Sequence, residues 1–287
     1  MGEIFAGILT CLFLLYQSLK SNEKSSGCWI ASSENPPKRE YELFCLYYTP
    51  IWIGIFAFIV VAQVYESMAE VEYMVVCGGL CIPLFLYPHF CSESKTVPLA
   101  ERYSFKANVW LAIYSFIGNY WYTHYFYSVL KASYTFPSWR LNDVPICLYF
   151  ATFFYFSTYH VFSNMAIRKV VTSFQEGWAR WFFLAALILA MSYFTAFAET
   201  LTISSFPYYD FEDRNMAYTV GSAFYGIYFI VSFPMFYRIY EKKEAGQGFT
   251  LGQVIIDSLG AGMLILILLD IVRLYLGIPL TIGVSGQ

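Results

Sequence analysis

The chain has 287 residues, of which 58% are hydrophobic and only 13% are charged. Soluble domains carry about 25% charged residues, because a surface in contact with water has to be covered by polar groups. The composition therefore excludes an ordinary soluble protein and predicts a membrane protein whose excess apolar side chains face lipid. The net charge of -3 also argues against a nucleic-acid partner.

A short apolar run from Ile4 to Leu19 comes first along the chain. It lacks basic residues at its start, and no convincing cleavage site follows it, so an anchor or a tilted span is favoured over a cleaved signal peptide. Residues 20–43, rich in Ser, Pro and charge, are predicted to be a linker. We accordingly divide the chain into an anchor-like segment with its linker, 1–40, and a membrane domain, 41–287.

Longer apolar runs follow, each close to the roughly 20 residues that a helix needs to cross a bilayer. The sequence predicts seven main spans, at 44–64, 71–91, 107–128, 145–163, 181–204, 217–237 and 254–276. The expected fold is an all-α, polytopic transmembrane helical bundle, with the first apolar run as a possible short extra span.

The basic residues alternate between the segments that connect these spans. Thirteen of the 17 Lys and Arg residues lie in four segments, 20–43, 92–106, 164–180 and 238–253. Only three lie in the intervening segments 65–70, 129–144, 205–216 and 277–287. By the positive-inside rule the first set is cytosolic, and the C-terminus is lumenal or external.

The seven cysteines show no spacing that favours covalent or metal-bound structure. None forms a C-x-x-C pair, and no His lies near them at metal-ligand spacing. Most lie in apolar runs, where Cys behaves as a small hydrophobic residue. We therefore expect neither a disulfide framework nor a bound metal.

Two ionisable residues inside the spans are functional candidates, because a charged side chain at the bilayer centre costs about 2.5–3.5 kcal/mol. Glu199 has no Lys or Arg within one helical turn, so we expect its carboxyl to stay protonated near neutral pH. His124 shares a helix face with Tyr120, Trp121 and Ser128, which is an aromatic wall rather than a lipid-facing surface. A purely structural role for either residue is the alternative.

Other charged residues have simpler explanations. Asp270 and Arg273 are three residues apart on one helix, the spacing of a local ion pair. The charged loop 210–214 fits a solvated segment. Asp257 lies near a helix start, where a carboxylate favours the helix dipole. His160, near the end of a span, fits a hydrogen-bonded packing role.

Four segments resemble characteristic stretches of the cycloeucalenol cycloisomerase family. They are GNYWYTHYFYSVLKASYTFPSW (118–139), AETLTISSFPYYDFEDR (198–214), YFIVSFPMFYR (228–238) and DSLGAGMLILILLDIVRL (257–274). The similarity extends from about Tyr41 to Leu280. The stretch before residue 40 is outside the family pattern, and Glu212 stands where an apolar residue is expected.

The resemblance implies isomerisation of the cyclopropyl sterol cycloeucalenol to obtusifoliol, a ring opening of sterol biosynthesis in the endoplasmic reticulum membrane, without a cofactor. Such a reaction needs a proton donor and a proton acceptor. We predict Glu199 as the acid, His124 as the base or proton return path, and Asp210 as a supporting carboxylate able to serve as base. The predicted substrate-binding residues are Asn119, Tyr120, Trp121, Tyr125, Phe136, Trp139, Tyr208 and Tyr209.

Two alternatives come from other functional classes. A sterol double-bond isomerase of the emopamil-binding type would use similar proton chemistry in fewer helices, but the four segments do not resemble that family. A non-enzymatic sterol carrier would be favoured by inverted repeats or paired broken helices, and the sequence shows neither.

Overall fold

The protein is known here from a computed structural model, which describes residues 1–23, 27–123, 127, 132–204, 206–241 and 248–277. Most of these residues are helical. The helices are α1 Gly2–Tyr16, α2 Pro36–Val61, α3 Glu70–Phe90, α4 Tyr103–Ile117, α5 Ile146–Ser173, α6 Trp178–Ser204, α7 Ser222–Tyr237 and α8 Leu251–Tyr275. The predicted all-α class is confirmed for this part of the chain.

Shorter elements complete the helices at their ends. A π-helical segment, Gly118–Tyr122, continues α4, and a second one, Ala217–Gly221, leads into α7. Two antiparallel strand pairs are present: β1 Ala132–Tyr134 with β4 Tyr209–Phe211, and β2 Arg140–Leu141 with β3 Val144–Pro145. The β1–β4 pair joins the loop before α5 to the loop after α6, at the end of the bundle that the charge pattern predicts to be lumenal.

Five helical segments of the described chain are long and apolar enough to cross a membrane: α2, α3, α6, Arg214–Tyr237 and α8. The chain is therefore a multi-pass membrane protein. The predicted spans 107–128 and 145–163 coincide in part with α4 and α5. Neither of these helices is both long and apolar enough to be counted with the other five. The number of seven spans stays a prediction.

Helix α5 is polar because it lies at the centre of the bundle, where it packs on α2, α3, α4, α6 and α7. A helix enclosed by other helices meets protein rather than lipid, so it can carry polar groups that find partners. His160 shows this: it is fully buried, and its two ring nitrogens lie 2.7 Å from the Phe156 carbonyl oxygen and 2.9 Å from Oγ of Ser232. This geometry agrees with the hydrogen-bonded packing role predicted for His160.

Helix α1 lies on the outside of the bundle, and none of its residues is buried. Its 15 residues span roughly 22 Å, less than the bilayer core. Phe5 stacks edge-on against Phe197 at 5.0 Å, and Tyr16 against Phe174 at 5.8 Å, so α1 runs antiparallel to α6.

Helix α2 begins at Pro36, inside the predicted linker. Proline fits the first turn of a helix because its missing N–H has no partner there in any case. The turns that follow are held by a buried charged cluster of Lys38, Glu42, Arg168 and Glu241. Arg168 bridges Glu42 at 2.7 Å and Glu241 at 2.6 Å, and Lys38 reaches Glu241 at 2.8 Å. Two cations thus balance two carboxylates at the junction of α2, α5 and the end of α7.

Candidate active site

A cavity of about 1150 Å³ lies between α2, α5, α6 and α7 and extends to the β1–β4 strand pair. Most of its wall is aromatic or aliphatic. Among the described lining residues, Glu199 is the one that carries a carboxyl. No described group of three or more His, Cys, Asp or Glu side chains is arranged to hold a metal ion.

The Glu199 carboxyl faces this cavity from α6 and is half-buried. Its Oε2 accepts a hydrogen bond of 3.0 Å from the hydroxyl of Tyr225 on α7. The hydroxyl of Tyr159 on α5 lies near the same carboxyl. No Lys, Arg or His of the described residues forms an ion pair with Glu199. The Tyr225 hydroxyl therefore orients this acid, and no positive charge neutralises it among the described residues.

Close packing of α6 on α7 places these groups opposite one another. A Cβ atom added at Gly226 would lie 3.5 Å from the backbone of Ser192, in ordinary van der Waals contact. Ser192 and Ala196 are small and buried on the helix face that also carries Glu199. Small residues let helix backbones approach in this way. Tyr225 precedes Gly226 and is thereby brought to the carboxyl.

Aromatic rings form the rest of the wall around Glu199. Tyr225 and Tyr228 of α7 pack with their centroids 5.0 Å apart. At the β1–β4 end, Tyr134 and Tyr209 are cross-strand partners with ring centroids 5.0 Å apart, and both line the cavity. Ring faces carry negative potential and stabilise positive charge nearby.

The cavity is bordered on one side by exposed apolar side chains of α2 and α6. Ile53 of α2 is 47% exposed and Phe194 of α6 is 59% exposed, although both line the cavity. Helices α2 and α6 each pack on α5 and make no extensive contact with each other. In a bilayer this gap faces lipid.

Of the predicted site residues, the structure places Glu199, Asn119, Phe136 and Tyr209 in the cavity wall. His124 and Tyr125 lie outside the described residues. Five others do not line the cavity: Tyr120, Trp121, Trp139, Tyr208 and Asp210.

Four of these five are explained by local geometry. Asp210 follows Tyr209 on β4, and successive strand residues point to opposite faces, so Tyr209 lines the cavity while Asp210 is exposed. Trp121 and Trp139 are about half exposed, at 50% and 52%. Tyr208 packs on Tyr65 instead, with ring centroids 5.7 Å apart.

Comparison with known proteins gives one clear relative. The chain is 45% identical, over 270 residues, to cycloeucalenol cycloisomerase of Arabidopsis thaliana, and the match covers 92% of this chain and 95% of the relative. The chain belongs to the cycloeucalenol cycloisomerase family. No protein-family model and no solved structure matches it.

Sequence reasoning missed two residues of the site in this family member, Tyr159 and Tyr225. A signal was present, because α5 carries Thr152, Tyr155 and Tyr159 at spacings of three and four residues. This places three hydroxyls on one face of a helix. Tyr225 and Tyr228 show the same three-residue spacing on α7. Hydroxyls repeated on one face of an apolar helix indicate a polar surface turned inward.

Proposed function

We propose that this protein opens the cyclopropane ring of a cyclopropyl sterol, as the name of its relative describes for cycloeucalenol. One structural observation carries the proposal. A carboxyl without a cationic partner, Glu199, faces a large cavity walled by aromatic and aliphatic side chains. The cavity volume of about 1150 Å³ is slightly above the roughly 300–1,000 Å³ usual for ligand sites, as a fused-ring sterol with its side chain requires.

The proposed reaction begins with proton transfer from Glu199 to the cyclopropane methylene carbon. The bond between this carbon and the adjacent ring-fusion carbon breaks, the methylene becomes a methyl group, and positive charge develops at the ring-fusion carbon. Loss of a proton from the neighbouring carbon then leaves a double bond in the ring. One proton is added and one removed, so the formula does not change and no oxidant or reductant is needed.

The cavity wall offers groups that suit each step of this reaction. The Tyr225 hydroxyl, 3.0 Å from Oε2, stabilises the carboxylate that remains after proton transfer. The rings of Tyr228, Tyr155 and Tyr209 offer π-faces to a cation. The apolar remainder of the wall keeps out water, which would otherwise capture the cation.

The proton acceptor is a second part of the proposal. His124 stays the predicted base or return path. Asp210 is exposed on β4 and does not line the cavity, so it would act as base only through intervening water. The Glu199 carboxylate left by the first step is itself a base within the cavity.

We further propose that seven helices span the endoplasmic reticulum membrane, with α4 and α5 as the two polar spans. Their charged flanks support this: Lys106 at the start of α4 and Arg168 near the end of α5 belong to segments of the same predicted cytosolic side. A sterol that resides in this membrane would reach the cavity between α2 and α6.

The experiment is expression in yeast engineered to accumulate or take up cycloeucalenol, followed by mass spectrometry and nuclear magnetic resonance of the sterols. We expect a product of equal mass in which the cyclopropane signals are replaced by those of a methyl group and a ring double bond. A product that keeps its three-membered ring would favour a double-bond isomerase. Unchanged sterol in the presence of folded protein would contradict the proposal.

A further inference from the structure

Asn119 occupies an unusual position in the cavity wall. It lies in the π-helical segment Gly118–Tyr122, lines the cavity, and is only 5% exposed. Short π-helical segments inside helices are found frequently at functional sites, because the extra residue turns one side chain out of the regular register.

The contacts of Asn119 determine which way its amide points. Its Nδ2 donates to the backbone carbonyl of Ser115 at 2.8 Å and to Oγ1 of Thr152 at 2.7 Å. A backbone carbonyl only accepts, so nitrogen rather than oxygen must face Ser115. The Thr152 hydroxyl gives its own proton to the Leu148 carbonyl at 3.0 Å, so its oxygen is free to accept from Asn119.

This arrangement uses both amide protons and leaves Oδ1 as an acceptor. No described residue donates a hydrogen bond to it. An acceptor that lines a binding cavity without a protein donor points to a donor on the ligand. A sterol carries one strong donor, the hydroxyl at one end of its ring system.

Asn119 and Glu199 belong to the same aromatic wall of the cavity. Gly118, the neighbour of Asn119, lies against the ring of Tyr228, where an added Cβ would be 3.7 Å from Cε1. Tyr228 packs on Tyr225, whose hydroxyl reaches Glu199. Two neighbouring aromatic rings of one cavity wall thus connect the amide to the acid.

We infer that Oδ1 of Asn119 accepts a hydrogen bond from the sterol hydroxyl and so positions the cyclopropane ring at Glu199. The inference rests on the proposed function, and it makes Asn119 a residue that selects 3-hydroxy sterols. With the hydroxyl held at Asn119, the apolar side chain of the sterol extends along α5 toward Phe162 and Met165, which line the other end of the cavity.

The test compares the natural substrate with its 3-deoxy analogue, which differs only in that hydroxyl. In wild type we expect kcat/KM to be about 10- to 100-fold lower for the analogue, since a site built to hydrogen-bond a hydroxyl rejects a ligand without one. Asn119→Leu has nearly the same volume but no acceptor. Its kcat/KM values for the two substrates should agree to within about threefold.

Thr152→Val is the matched control, because it removes the partner of Nδ2 and leaves Oδ1 in place. It should keep the wild-type preference for the hydroxyl. A variant that merely loosened the π-helical segment would lower kcat/KM equally for both substrates, so the ratio of the two kcat/KM values would not change. Asn119→Ser, whose hydroxyl is too short to reach the substrate, should lose the preference in the same way and replaces Asn119→Leu if that protein does not fold.

Equal turnover of the two substrates by wild type would overturn the inference, as would an Asn119→Leu enzyme that kept the full preference. In either case a water molecule would be the partner of Oδ1. Failure of the proposed function is a separate result, because wild type would then leave the natural substrate unchanged.

Discussion

The hydroxyl of Tyr225 on α7 donates to Oε2 of Glu199 on α6 across 3.0 Å. The two residues are 26 positions apart in the chain, and they meet because α6 and α7 pack closely, with Gly226 against the backbone of Ser192. A carboxyl held by neutral hydroxyls can carry a proton and, after giving it up, can be stabilised as an anion. This pair is therefore the centre of the proposed chemistry.

We expect Glu199→Gln to lower turnover by about 100- to 10,000-fold, the usual effect of removing a general acid. The amide keeps the size of the carboxyl and can bond to Tyr225, so folding should be retained. The measurement is sterol turnover by the variant. Its expression level and its monodispersity in detergent show whether it is folded. Activity within tenfold of wild type in a well-folded variant would remove Glu199 from the role.

Tyr225→Phe should reduce kcat about 10-fold or more with little change in KM. The lost hydroxyl stabilises the carboxylate formed during proton transfer, and hydrogen bonds to charged groups contribute about 1.5–3 kcal/mol. Tyr228→Phe is the matched control, a neighbouring cavity tyrosine that makes no hydrogen bond to Glu199. Equal effects of the two substitutions would argue for a general packing role.

Arg168→Met should destabilise the protein by about 3–5 kcal/mol, because it leaves the buried carboxylates of Glu42 and Glu241 without their main partner. Thermal unfolding in detergent measures the change. Lys95→Met, at an exposed lysine that ends a short 3-10 helix, is the control and should leave the unfolding temperature unchanged. A similar small shift of the unfolding temperature in both variants would show that the charged cluster contributes little to stability.

The same cluster predicts a dependence of stability on pH. Burial acts to raise the pKa of the Glu241 carboxyl, but its ion pairs with Arg168 and Lys38 outweigh burial and hold the pKa below its ordinary value. The folded state therefore binds fewer protons than the unfolded state at this group. Its contribution to stability is complete above the unfolded pKa and is lost as the pH falls through the folded pKa. Arg168→Met should flatten this acid limb of the stability curve, and an unchanged limb would contradict the assignment.

Access to the cavity should depend on the gap between α2 and α6. Ala57 lines the cavity from the exposed side of α2, so Ala57→Trp should lower kcat/KM by about tenfold or more by obstructing the gap. Ile55→Trp is the control, because Ile55 is exposed on the same helix but does not line the cavity. Steady-state kinetics in proteoliposomes would compare the two, and unchanged kinetics in Ala57→Trp would place the opening elsewhere.

Much of this protein could be predicted from the sequence because the relevant signals are local. The positions of the apolar helices follow from continuous runs of residues, and the family follows from four long segments. Glu199 stands out because the absence of a basic residue within one turn is a property of its own helix. The pairing of Asp270 with Arg273, observed at 2.7 Å, follows from their spacing in the same way.

The tertiary structure alone decided which residues surround the carboxyl. Tyr159 and Tyr225 come from helices far apart in the chain, and their meeting at Glu199 depends on how tightly α5, α6 and α7 pack. The same holds for the choice between Tyr209 and Asp210, which depends on the pairing of β4 with β1. Composition and periodicity describe one segment at a time, whereas a site is made by contacts between segments, and those contacts are determined by the packing of the whole bundle.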